Sequence, residues 1–293
     1  MIGVDLAGGL GNQLFEYAYI YAQAKKLNTR FFLVKSGGPI EIYKYFELEK
    51  SFFYYIDRLF FNHQGFRLFF SHYLRGAFYN AIGKWFIDNN ITVDNLDDPN
   101  KAVQAIEDKT HYHGYFQSEV YFEDHITGLL KVLSLKSQYT DAYAKKFTWL
   151  AKKAKVVVMH IRLTDFKTAF GYLNLGGEDL SLPLSYYHKV IRQIQHQDNY
   201  YVIISDDIEL LKTEFIYLEN KFFSDESEIM DFQLMMNADV CIIANSTFSW
   251  WAAYLNKRAN KAVYCPQHFL GFKKGYDYPN KIYPQSWIKV LVN

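Results

Sequence analysis

The sequence predicts an α/β protein built as two similar halves facing across a cleft, and two observations carry this. The 293-residue chain exceeds what one compact core usually holds. The order strand, tight loop, helix, strand also occurs at the N-terminus and starts again past the middle. We place the boundary near residue 150, giving halves of 1–150 and 151–293.

In the first half, Ile2 to Leu6 is a short buried strand and Ala7-Gly8-Gly9-Leu10-Gly11-Asn12 a tight loop. From Gln13 to Lys26 the apolar residues Leu14, Tyr17, Ala18, Tyr21 and Ala24 recur at helical spacing, and Lys25 and Lys26 suit the last turn. Arg30 to Val34 supplies the second strand. Between Phe52 and Phe86 the chain is unusually aromatic: Phe52, Phe53, Tyr54, Tyr55, Phe60, Phe61, Phe66, Phe69, Phe70, Tyr73, Phe78, Tyr79, Trp85 and Phe86 alternate with Arg58, Arg67, Arg75 and Lys84, and Asp57 is the one acid. Three readings are open, in falling order: a helical core with a solvated basic face, a face for an anionic membrane surface or lipid-linked acceptor, and a nucleic-acid face.

In the second half, Tyr143 to Lys153 reads as helix, Lys155 to Ile161 as a buried β-branched strand, and Tyr186 to Gln195 as helix. Strands follow at Tyr201 to Ile204, Val240 to Ala244 and Ala262 to Cys265. Such alternation predicts a doubly wound, Rossmann-like sheet with ligands at the C-terminal ends of its strands. The glycine-containing stretch from Phe166 to Leu184 reads as a long loop over the cleft, a lid or an acceptor loop.

Composition narrows the function. A net charge of +1 offers no general attraction to nucleic acid, so an anionic ligand needs local positive charge. Cys241 and Cys265 lie in apolar strands and read as buried thiols, and no metal-ligating cluster is visible. The N-terminus shows neither signal peptide nor membrane span, which predicts a cytoplasmic protein.

Three constellations carry chemistry. The loop Gly9-x-Gly11 lacks the third glycine of a dinucleotide fingerprint, because Leu14 holds its place, and the second strand ends at Lys35-Ser36-Gly37 without an acid; this argues against a nicotinamide enzyme. Absence of Gly-Lys-Ser/Thr excludes a P-loop. The backbone of Gly9 and Gly11 and the amides of Asn12 and Gln13 still suit an anion or sugar hydroxyl. Second, His160-Ile161-Arg162-Leu163-Thr164-Asp165 stands at a strand end, where Arg162 suits a diphosphate; a brace from Arg162 to Asp165 is the bland alternative, and His160 reads equally as core or nucleotide contact. Third, Asp231 precedes the strand and turn ending in Asn245-Ser246-Thr247-Phe248-Ser249, whose hydroxyls either cap a helix or bind phosphate. Trp250 and Trp251 read as packing.

Together these segments resemble glycosyltransferase family 11, the α-1,2-fucosyltransferases. The resemblance rests on Gly8 to Gln13, His160 to Asp165, Ser205 to Asp207, His113 to Gln117 with Tyr121-Phe122, and Ile242 to Leu255. It implies a GT-B-like fold and inverting, metal-independent transfer of L-fucose from GDP-fucose, a co-substrate, to a galactose 2-hydroxyl of a glycan. A lipid-linked acceptor implies peripheral contact with the inner face of the cytoplasmic membrane. By the same resemblance Arg162 engages the donor β-phosphate, Asp231 reaches the nucleotide, and Ser246, Thr247 and Ser249 bind phosphate. The motif's second arginine is Leu163 here, and Glu16 stands where the family often has glutamine. Alternation along an extended segment turns Leu163 away from Arg162. The general base is open: Asp165, Glu178, Asp179 and, less directly, Glu119 are the acids in view, and Asn12 is an orienting group.

Overall fold

A computed structural model describes residues 1–35, 40–56, 76–79, 81, 83 and 85–292. The chain divides into two compact units, Met1–Lys136 and Ser137–Asn293. The division thus falls earlier than residue 150. The reason is the helix Ser137–Lys146, which belongs to the second unit: Gln233 Nε2 donates to the Tyr139 carbonyl at 3.2 Å, and Lys146 pairs with Glu226 at 2.7 Å.

Among the described residues, unit 1 holds four parallel strands, β1 (Ile2–Asp5), β2 (Phe31–Val34), β3 (Asn89–Thr92) and β4 (Thr110–His113), in the order β2-β1-β4-β3. The last two were not expected, because Asn89–Thr92 is polar and largely exposed and Thr-His-Tyr-His has no apolar run. Helix α1 (Leu10–Lys26) starts earlier than periodicity suggests and buries nearly every residue from Leu10 to Ala24, including Gln13, Glu16 and Gln23. Its two terminal lysines complement the helix dipole. Short helices α2 (Glu41–Tyr45), α3 (Pro99–Gln104) and α4 (Ile126–Val132) are among the unit's other described elements.

The described part of the aromatic segment is partly core and partly exposed. Phe53 and Tyr79 are buried against Phe32 of β2, whereas Tyr55 and Trp85 are 68% and 84% exposed. Phe60, Phe61, Phe66, Phe69, Phe70 and Tyr73, with Asp57, Arg58, Arg67, Arg75 and Lys84, lie outside the described residues, as do Ser36 and Gly37. No helix among the described residues is long and apolar enough to cross a membrane.

Unit 2 begins with α5 (Ser137–Lys146). Its described strands are β5 (Lys155–Ile161), β6 (Asn199–Ser205), β7 (Lys221–Phe223), β8 (Val240–Ile242), β9 (Ala262–Pro266) and β10 (Ile288–Val290), all parallel, in the order β10-β9-β8-β5-β6-β7. The sheet is doubly wound. Helices α6 (Leu184–Ile194), α7 (Ile208–Glu214), α8 (Glu228–Met236) and α9 (Thr247–Tyr254) connect its strands. Val157, Met159, Ile161 and Leu163 point alternately into one core with Tyr186, Tyr187, Val190 and Ile191 of α6. Trp250 and Trp251 are fully buried, and Trp250 Nε1 donates to the Ile282 carbonyl at 2.9 Å, so both are packing residues. Cys241 and Cys265 are free, buried thiols; burial pushes the Cys241 thiol up to about 12.

Candidate active site

The chain of unit 2 winds from β5 outward through β6 and β7, then returns to β8 on the other side of β5. Connections leaving β5 and β8 therefore diverge, and the crevice at their C-terminal ends is where open α/β sheets bind ligands. Two of the three constellations, His160 to Asp165 and Asn245 to Ser249, lie at these ends.

Arg162 follows the last residue of β5. Its Nε and Nη2 each donate to one carboxylate oxygen of Asp165 at 2.7 Å, and Nε lies 3.5 Å from Asp206 Oδ2. This bidentate fork fixes the guanidinium plane and leaves Nη1 for an anion. Asp206 in turn accepts from Leu163 N at 2.9 Å and from Thr164 N and Oγ1 at 3.0 and 2.6 Å. Burial raises the Asp206 carboxyl, but the Thr164 hydroxyl, the two backbone N–H groups and Arg162 together hold it below the usual carboxylate range. Asp206 is thus the clamp on the arginine loop. Sequence reading placed it in a motif without assigning this task.

His160 is buried, and burial, then the Arg162 charge, depress it to about 3, so it is neutral. Its ring lies 5.4 Å from that of Phe248 in α9, which lies 5.3 Å from Phe232 in α8. This aromatic chain brings the β5 end, α8 and α9 together. His160 Nδ1 is buried without a partner among the described residues.

Beyond β8, Asn245 is buried and donates through Nδ2 to the Leu180 carbonyl at 2.8 Å, while its Oδ1 is unpartnered among the described residues. Ser246 is the N-cap of α9 yet makes no side-chain cap bond. Thr247 opens the helix. Ser249 is fully buried with its hydroxyl on the Ser246 and Ala244 carbonyls at 3.0 and 3.4 Å, so it serves the turn and not a phosphate. Asp231, in the first turn of α8, accepts from Ser224 Oγ at 2.5 Å; burial pushes its carboxyl up to about 7.

The stretch from Phe166 to Leu184 is pinned, which a lid is not. Leu175, Leu180 and Leu182 are buried, Leu180 N donates to the Phe166 carbonyl, and Lys273 Nζ donates to the Asp179 carbonyl at 2.5 Å. Of the candidate bases, Asp165 is held by Arg162, and Asp179 accepts from Ser181 N and Oγ.

In unit 1 the order of strands reverses between β1 and β4. The glycine loop leaves β1, and Gly8 there has a φ of +64°, where a Cβ would collide with the Asn12 amide at 2.4 Å. At Gly9 a Cβ would meet nothing, so the exposed backbone is open to a ligand. Gly11 is buried within the first turn of α1. Asn12 accepts from Gln117 Nε2 at 3.0 Å. Gln13 is buried and braces the loop, donating to the Gly8 carbonyl at 3.1 Å and accepting from Glu41 N at 2.8 Å, so its amide is not presented to a substrate. Glu16 accepts from Ala7 N through both oxygens at 3.0 and 2.9 Å; burial raises its carboxyl well above the usual range. Beside the loop, Asp5 meets His111 and His113. Sequence reading saw no such cluster, because strand pairing across about a hundred residues assembles it.

The profile of the family described as Glycosyl transferase family 11 matches residues 88–289. The chain belongs to this family. Two Escherichia coli proteins are similar to this family 11 glycosyltransferase over most of their lengths. The O-antigen biosynthesis glycosyltransferase WbnK is 28% identical, with 97% of this chain and 99% of that protein covered. An alpha-1,2-colitosyltransferase is 29% identical, with 85% and 86% covered. The fold is GT-B-like. It is similar to the α-1,6-fucosyltransferase NodZ co-crystallised with GDP, at a TM-score of 0.52 and 12% identity over 87% of this chain and 92% of that one. A GDP complex of an Arabidopsis thaliana FUT1 variant gives 0.52 and 11% over 90% and 69%. In this glycosyltransferase the motif's Leu163 is 5% exposed, on the core face opposite Arg162, so the missing arginine leaves the Arg162 side intact.

Proposed function

We propose that the protein transfers L-fucose from GDP-fucose to the 2-hydroxyl of a galactose in a glycan, with inversion and without a divalent metal. The observation that carries the reading is Arg162, oriented by Asp165 and Asp206 at the crevice between β5 and β8. A fixed guanidinium there stabilises the charge that builds on the leaving diphosphate, a task otherwise given to a metal. Ser246 and the N-terminus of α9 supply further donors to phosphate oxygens, and Asp231 accepts from the guanine base. An O-antigen biosynthesis glycosyltransferase among the relatives supports a surface-polysaccharide acceptor, which we propose is lipid-linked and met at the inner face of the cytoplasmic membrane.

Purified protein with GDP-fucose and a panel of galactose-terminated glycans is expected to form a fucoside in the presence of EDTA, with the α-1,2 linkage read by NMR. Arg162→Ala should lose at least about a hundredfold in kcat, the scale of one transition-state donor. Wild-type-like turnover by this variant, or no product with any glycan, refutes the reading. The colitosyltransferase relative favours a second donor, a GDP-linked colitosyl group. Thermal-shift titration with several GDP-sugars separates the two, since a true ligand stabilises by mass action.

A further inference from the structure

Adjacent aromatic residues of unit 1 take opposite sides of the chain. Phe53 packs on Phe32 of β2, whereas Phe52, whose N–H donates to the Phe31 carbonyl at 2.8 Å, turns outward. Phe52, Tyr55, Trp85 and Phe86 are 42%, 68%, 84% and 40% exposed. Single exposed aromatics are ordinary, but a contiguous group of them marks an interaction surface. The rings of Phe52 and Phe86 lie 6.3 Å apart, which joins the two ends of the segment.

Cations lie on the same surface. The Arg30 guanidinium stands over the Phe52 ring at 5.3 Å, and Lys50 Nζ stands over the Tyr55 ring at 4.8 Å and donates to its hydroxyl at 2.8 Å. Lys25, Arg30, Glu49, Lys50 and Phe52 line a cavity of about 290 Å³ that joins these groups. Among the described residues lining it, Glu49 is the one acid, and it is paired with Lys25 at 2.8 Å. Asp88, two residues beyond Phe86, is matched by Lys109 at 3.2 Å. The surface is therefore locally positive on a chain whose net charge is only +1.

Exposed aromatics with cations beside them fit a bilayer interface, where rings lie at headgroup level and cations meet lipid phosphates. Stacking of nucleic-acid bases needs open ring faces, and Arg30 and Lys50 already stand over those of Phe52 and Tyr55. We propose that this surface of unit 1, formed by Arg30, Lys50, Phe52, Tyr55, Trp85 and Phe86, docks on an anionic lipid bilayer. The inference rests on the reading of a lipid-linked acceptor above and names the contact through which the membrane is met. Tyr55 and Trp85 enter the headgroup region, Arg30 and Lys50 hold lipid phosphates, and the cavity between them takes a headgroup.

The test uses the full chain with extruded vesicles of phosphatidylcholine alone or mixed with phosphatidylglycerol. Wild type is expected to sediment with the mixed vesicles and not with the neutral ones, and to be released as salt is raised. Arg30→Gln and Lys50→Gln should each lower the partition coefficient about fivefold, the contribution of one cation near an anionic surface. Trp85→Ser combined with Tyr55→Ser should lower it about tenfold or more through lost apolar contact. Trp250, Trp251 and Trp287 are buried, so brominated lipid should quench mainly Trp85, and Trp85→Phe should keep binding and lose most of the quenching. Transfer to a soluble galactoside should be unchanged in every variant. No binding of wild type to the mixed vesicles, undiminished binding by the variants, or displacement from vesicles by a single-stranded oligonucleotide overturns the surface. No transfer to any soluble glycan by wild type overturns the transferase reading instead, and the vesicle results still decide the surface.

Discussion

Two acids, Glu16 buried and Asp231 half-buried, set pH behaviour at the level of single residues. Glu16 has a raised folded pKa, so its contribution to stability is full below the unfolded value near 4.5 and declines as pH rises toward the folded value. Glutamine keeps an acceptor for Ala7 N and does not titrate. Glu16→Gln should therefore be more stable than wild type near pH 9, with the difference shrinking toward pH 5, as read from denaturant melts. Asp231 sits at about 7, so near pH 6 it is largely protonated in the free enzyme. Donors from a guanine base favour the carboxylate, and GDP binding should release up to about one proton at pH 6 and fewer above pH 8. Calorimetry in buffers of different ionisation enthalpy measures this, and Asp231→Asn should remove that share of the release. An unchanged proton count in the variant rejects Asp231 as the base contact.

Among elements, the turn between β8 and α9 places two serines in opposite roles. Ser246 caps α9 without a side-chain bond, whereas the Ser249 hydroxyl is spent on two backbone carbonyls inside the turn. Ser246→Ala should weaken GDP binding about ten- to a hundredfold with little change in stability, the scale of one hydrogen bond to a charged group. Ser249→Ala should do the reverse, costing about 1 kcal/mol of stability with GDP affinity retained. Calorimetry and urea melts on both variants decide it, and equal loss of affinity in the two would contradict the assignment. The 166–184 stretch belongs at this scale as well. Its buried leucines and its bond from Asn245 hold it to unit 2, so it positions the site more than it gates it.

Across the whole molecule, the division after Lys136 gives α5 to the second unit. A fragment of residues 137–293 should melt cooperatively and bind GDP, while one starting at residue 151 should lose several degrees of melting temperature. The shorter fragment uncovers the α8 face where Gln233 meets the Tyr139 carbonyl, and it loses the Lys146 pair with Glu226. Equal melts for the two fragments would show α5 to be dispensable.

Sequence alone determined the two halves, the parallel strands β1, β2, β5, β6, β8 and β9, and the loop carrying Arg162, because these rest on local periodicity and on glycines and charges set against apolar runs. It also placed Leu163 away from Arg162, since alternation along an extended segment is a local property. Tertiary structure decided the rest. The polar strands β3 and β4 form only by pairing with a neighbour, Gln13 and Ser249 are turned inward by bonds that no pattern announces, and Asp5 reaches His111 and His113 only through the register of β1 on β4. Contacts between residues a hundred positions apart leave no periodic trace, which is why Arg162 was legible in the chain and the meeting of Asp5 with His111 and His113 was not.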